Sequence, residues 1–173
     1  VAQMKAALEA VGALPLVVSV TSGTVTSEDG TETTVDKSFV TTASVLVDAV
    51  YVPGGEKSVS TLMEEGDAIH FLNEAFKHCK PLAAMDEGID LLMASDIQGV
   101  QFAESSRVGE VVVSQGVVTT RLSPAEAESV VEKVKESMGL GNQSDADMFS
   151  THFIDAIAQH RHWTRDTKST VPA

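Results

Sequence analysis

Apolar residues follow two rhythms along this chain, short continuous runs and helical stripes, and the two alternate. Met4, Leu8 and Val11 stand at helical spacing, with Gly12 as a C-terminal stop. Leu16-Val-Val-Ser-Val20 reads as a buried strand. Two extended stretches flank Ser27-Glu-Asp-Gly30, whose Asp29-Gly30 pair suits a hairpin turn. Ala49-Val-Tyr-Val-Pro53 is a short apolar strand stopped by Pro53-Gly54-Gly55.

A helix is predicted from Asp67 to Lys80. Ile69, Leu72, Ala75, Phe76 and Cys79 form its stripe, Asp67 caps its start, and Pro81 ends it. Leu82 to Met85 has no polar alternation, as in a strand buried on both faces. Glu87 to Ala94 reads as a helix, then Val100–Phe102, Glu110–Val113 and Val117–Thr120 as strands. Ser123-Pro-Ala-Glu126 is a capping box for a helix running to Met138 and stopped by Gly139. Residues 139–144 read as a linker. A final helix over 145–163 puts Phe149, Phe153 and Ile157 on one face, and 164–173 forms a tail. Strand–helix alternation of this kind predicts an α/β fold, a mostly parallel sheet with helices on both faces.

Length and charge narrow the picture. At 173 residues the chain suits one domain rather than two. Twelve Lys and Arg against 25 Asp and Glu give a net charge of -13, which argues against phosphate-neutralising nucleic-acid binding and against anionic membrane surfaces. No apolar run reaches the roughly 20 residues that span a bilayer. The single cysteine, Cys79, excludes an internal disulfide. The start at Val1 has no signal-peptide layout and reads as part of something longer.

The turn Asp86-Glu87-Gly88 is the candidate site. A strand entering a tight turn and then a helix is where α/β proteins can expose a nucleophile, yet here the first turn residue is aspartate. An Asp86/Glu87 acid–base pair is the catalytic reading. Adjacent turn residues usually point apart, so the expected role of Asp86 is a helix cap worth about 1 kcal/mol. Gly54-Gly-Glu-Lys-Ser58 lacks the spacing of a phosphate loop and carries Glu56 where phosphate would repel it, so it reads as a turn into a short helix. His70, His78, His152, His160 and His162 form no metal-ligand spacing. Cys79 reads as a buried, inert thiol. No catalytic, cofactor-binding or metal-binding residue is expected.

Three segments carry a resemblance. Val47-Asp-Ala-Val-Tyr-Val-Pro-Gly-Gly55, Gly66 to Pro81, and Ala158-Gln-His-Arg-His-Trp163 with its tail to Ala173 resemble the C-terminal domain of large-subunit catalases, fungal or bacterial. That domain is of the flavodoxin-like superfamily of DJ-1, PfpI proteases and Hsp31 chaperones. The resemblance implies a flavodoxin-like three-layer sandwich over 1–173, with a first strand that lies upstream of Val1. It places Asp86 where the superfamily has its cysteine, with Glu87 next and Gly88 matching, so Asp86, Glu87 and Gly88 read as a vestigial nucleophile elbow. It also implies a haem catalase core as the parent, decomposing hydrogen peroxide, with neighbouring subunits of a homotetramer as partners. Unfolded client proteins would be further partners of an Hsp31-like chaperone. A purely structural assembly module and a hydrolase or lyase using Asp86/Glu87 are the alternatives.

Overall fold

The computed structural model describes residues 1–27, 30–122 and 145–165. Helix α1 (Ala2–Ala10) leads to β1 (Val18–Ser19), the hairpin β2 (Gly23–Thr26) and β3 (Glu32–Val35), and β4 (Lys37–Ser38). A 3-10 turn at Ser44–Leu46 precedes β5 (Val50–Val52), α2 (Glu56–Glu64) and α3 (Gly66–Lys77). Then follow β6 (Leu82–Met85), α4 (Gly88–Ala94), β7 (Val111–Ser114), β8 (Val117–Thr120) and α5 (Asp145–Ala158).

The main sheet has the order β5-β6-β8-β7, with β7 alone antiparallel. Side-chain alternation along its strands divides the core in two. Leu82, Ala84 and Val117 pack with Val59, Leu72, Phe76, Ile89 and Leu92 of α2, α3 and α4. Ala83 and Val118, on the opposite face, pack with Met4 of α1 and Phe149 and Phe153 of α5. This is the expected sandwich. β1 and β4 form a separate parallel pair, and β5 is the edge of the main sheet that faces them.

Several local expectations change. Asp67 lies inside the first turn of α3, not at its cap; Glu65 occupies that position, and no side chain caps it. There Asp67 still favours the helix through the macrodipole. The helix ends at Lys77, so Cys79 leaves the stripe and takes a left-handed φ of 58°, though its thiol is buried as expected. Leu16–Val20 contributes only two strand residues, and Leu16 is exposed. Val100–Phe102 forms no strand. Its neighbours are served by side chains instead: Gln101 N–H donates to Ser114 Oγ and Ala103 N–H to Thr119 Oγ1. The last helix stops at Ala158, where His160 turns to a φ of 63°.

The hairpin around Ser27 forms as read, with Thr24 opposite Thr34. Residues 123–144 and 166–173, with the capping box, the linker and most of the tail, lie outside the described residues, as does Asp29.

Candidate functional site

The elbow stands at the carboxyl end of β6, in the middle of the sheet. Asp86 takes a φ of 51°, a left-handed conformation that aspartate tolerates better than most residues. Its amide donates to Thr120 O at 3.0 Å, and its carbonyl accepts from Ile89 N at 3.1 Å. Its side chain does not cap α4. Glu87 holds the cap position, without a side-chain cap bond, and Asp86 Oδ1 instead accepts the Leu122 amide at 2.8 Å. The carboxylate reaches across to the end of β8 because the left-handed turn swings Cβ away from the helix axis.

Glu87 points the other way. Its Oε2 accepts the Gly55 amide at 2.8 Å, the amide at the cap position of α2. So the two carboxylates diverge, as adjacent turn residues usually do, and each is held by a different backbone amide. The Gly54-Gly55 turn therefore faces a carboxylate of its own chain, not a phosphate. Gly54 and Gly88 make that approach possible. A Cβ on Gly88 would lie 2.6 Å from Val52 O, and one on Gly54 would lie 2.9 Å from Glu87 Oε2.

Arg121 is the residue that sequence reasoning missed here. Its Nη1 donates to Asp86 O at 3.2 Å and its Nη2 pairs with Asp90 Oδ1 at 2.9 Å. No local spacing reveals it, since it comes from the far end of β8. Burial raises the Asp86 carboxyl above its ordinary value, against the Leu122 amide, with Glu87 adding to the rise and Arg121 opposing it. Burial, then the charge of Asp86, likewise pushes the Tyr51 phenol up. Tyr51 is packed near Phe149 and Phe153, with ring centroids at 6.0 and 6.5 Å. The elbow thus offers a half-buried carboxyl tied to backbone, with no hydroxyl, thiol or imidazole at the strained position.

At the opposite end of the sheet the chain after α5 is clasped to the body. His162 N–H donates to Cys79 O at 2.8 Å, and its ring sits against Gly116, with Nε2 3.2 Å from Ala156 O. Burial lowers the His162 imidazole, which favours the neutral ring. Arg165 lies 4.3 Å over the Phe76 ring and donates to Gln115 O at 2.6 Å and Phe76 O at 3.0 Å. Burial lowers its guanidinium to about 10, still charged at neutral pH. Buried Lys80 donates to the carbonyls of Ser44 and Val47. Among the described residues no group of three or more His, Cys, Asp or Glu could hold a metal ion.

Residues 1–167 match the family model described as the C-terminal domain found in long catalases. The chain belongs to that family. It is 42% identical over 154 residues to Catalase HPII of Mycobacterium avium, covering 89% of this chain and 19% of that protein. It is 37% identical over 161 residues to Catalase-1 of Neurospora crassa, covering 93% of this chain and 20% of that protein. The domain thus spans about a fifth of the curated relatives it matches.

Solved structures agree on the fold. A ThiJ/PfpI domain protein from Brachyspira murdochii superposes with a TM-score of 0.69 at 20% identity, over 91% of this chain and 87% of that one. Oxidized Toxoplasma gondii DJ-1 gives 0.62 at 19% identity, over 90% and 87%. This catalase domain is therefore built on the DJ-1/ThiJ/PfpI fold.

Proposed function

We propose that this domain is a non-catalytic accessory part of a large-subunit catalase, which stabilises its parent and holds unfolding polypeptides as an Hsp31-like chaperone does. One observation carries the reading. The strained elbow position holds Asp86, whose carboxylate is engaged by Leu122 N–H, and the neighbouring Glu87 is engaged by Gly55 N–H. Neither carboxylate is aimed at a shared reacting atom, which speaks against the hydrolase or lyase reading.

Peroxide decomposition and haem fall, in this reading, to the remainder of the parent. The candidate ligands packed within the fold do not fit a haem. Tyr51 is enclosed by Phe149, Phe153 and Met85, Cys79 is buried, and the His162 ring is packed against Gly116 and Ala156. Exposed apolar side chains at Leu14, Val40, Val45 and Leu46 support contact with unfolded chains. The purified domain, mixed at an equimolar ratio with a heat-labile client, should suppress its light scattering. Unchanged scattering would remove the chaperone part.

A second reading, a module for assembly of the parent's homotetramer, is favoured by Trp163. It is 79% exposed although both His162 and Arg165 beside it are buried anchors. Deleting residues 164–173 should then weaken the parent's oligomer in sedimentation, and an unaltered oligomer would count against it.

A further inference from the structure

Arg165 is only 5% exposed, and a guanidinium buried that far needs an acceptor for each donor it carries inside. Two of its nitrogens have one. Nε donates to Gln115 O and Nη1 to Phe76 O, whereas Nη2 has no hydrogen-bond partner among the described residues. The buried cation therefore holds one corner of its fork ready for an acceptor.

Cys79 stands beside that corner. Phe76 O accepts the Cys79 amide at 2.9 Å as well as Arg165 Nη1 at 3.0 Å, so the two residues meet over one carbonyl. Burial lowers the guanidinium, and a charge on Cys79 is what acts against that lowering. The left-handed turn at Cys79 takes its side chain out of the α3 stripe. Its Sγ has a long contact, 3.9 Å from Lys77 O, which holds a weak S–H donor loosely. The carbonyl of the same residue accepts His162 N–H, so the thiol lies under the segment that carries Trp163. All of this is at the end of the sheet opposite Asp86.

We propose that Cys79 is a site of reversible oxidation by hydrogen peroxide, and that the oxygen added to its sulfur is the acceptor for Arg165 Nη2. The sulfur attacks one peroxide oxygen, forming an S–O bond as the O–O bond breaks. The departing hydroxide takes the thiol proton and leaves as water. Sulfur loses two electrons to the peroxide, and the product is the sulfenic acid, Cys79–SOH. Peroxide is little larger than water and reaches the sulfur when residues 160–165 lift. The new oxygen then accepts Nη2 N–H and fastens Arg165, and with it Trp163, more tightly to the body. Two equivalents of a small thiol reverse the step, leaving as their disulfide with one water.

The test uses the full 173-residue chain with hydrogen peroxide. The peptide carrying Cys79 should gain one oxygen that dithiothreitol removes, which separates it from methionine sulfoxide. Trypsin should then cut after Arg161 about tenfold more slowly, because the lifted population falls with the bond gained, and dithiothreitol should restore the rate. Cys79→Ala should show neither change. Arg165→Met should still take up the oxygen but show no slowing. Absence of a thiol-reversible oxygen on Cys79 would overturn the proposal, as would faster or unchanged cleavage of the oxidised chain. Slowing that persists in Cys79→Ala or in Arg165→Met would overturn it too, and the cysteine comparison decides even if the methionine variant unfolds.

Discussion

Glu87 Oε2 accepts the amide hydrogen of Gly55 at 2.8 Å, and this one bond ties the turn after β6 to the turn after β5. The two turns belong to different strands and meet only because Gly54 and Gly88 lack side chains at the contact. The bond also places a fixed negative charge at the start of α2, where the helix dipole favours it. Glu87→Ala should cost about 1.5–3 kcal/mol in chemical denaturation, the range for a hydrogen bond to a charged acceptor. Glu87→Gln keeps an acceptor oxygen and should lose less than half of that. Equal losses in the two variants would mean that packing, not the bond, joins the turns.

Asp86 yields a pH dependence whose sign follows from its burial. Its folded-state pKa is raised above the ordinary value of 3.8, so the folded state binds the proton more tightly than the unfolded one. The charged form is therefore a penalty present at pH values above the folded pKa. Stability should rise as pH falls through that pKa and level off near the unfolded value. Asp86→Asn keeps an oxygen for the Leu122 amide and removes the titration. It should be at least as stable as the parent sequence at pH 7, and should flatten the stability profile between pH 4 and the raised pKa. Loss of stability at pH 7 would show that the carboxylate's charge is needed by Arg121 or Leu122.

The same residue marks how far the sequence could be read. Strand, turn and helix around Asp86 were legible because Leu82 to Met85 is a continuous apolar run ended by Asp-Glu-Gly. The divergence of the two carboxylates followed from adjacency at a turn. The cap role did not hold, because a left-handed φ at Asp86 redirects its side chain, and no local pattern encodes that angle. Arg121 and Arg165 were invisible for a related reason. Each bonds to backbone carbonyls far away in sequence, at Asp86 and Ala103 for one and at Phe76 and Gln115 for the other. Cys79 was placed on a helical stripe by periodicity alone, whereas the chain must turn there to enter β6 one residue after Pro81.

Arg165 bonds two backbone carbonyls with one planar group, so its replacement should separate geometry from charge. Among the described residues its buried Nη2 has no hydrogen-bond partner, which offsets part of what the other donors contribute. Arg165→Met keeps the contact with Phe76 and drops every donor, and should cost about 1–3 kcal/mol. Arg165→Lys should be no better than Met, because a single ammonium cannot reproduce the planar fork. A lysine variant as stable as the parent sequence would mean that charge near Phe76 suffices.

Gly116 sits between β7 and β8 with a φ of 76°, and a Cβ added there would run into the His162 ring. Gly116→Ala therefore combines two costs: about 1 kcal/mol for an alanine in a left-handed conformation, and about 1–3 kcal/mol for overpacking against a buried ring. The segment 160–165 should come free first, because its hold on the body is the His162 ring at Gly116, His162 N–H on Cys79 O, and Arg165 over Phe76 with its two carbonyl bonds. Limited proteolysis should then cut after Arg161 before the domain unfolds. His162→Ala removes the obstructing ring, so the alanine at 116 should cost only the conformational part in that background. The double-mutant cycle would show a coupling of about 1–3 kcal/mol, the overpacking cost, within the range for residues in contact. Additive costs would mean that the backbone angle alone demands glycine, and that the ring could move aside.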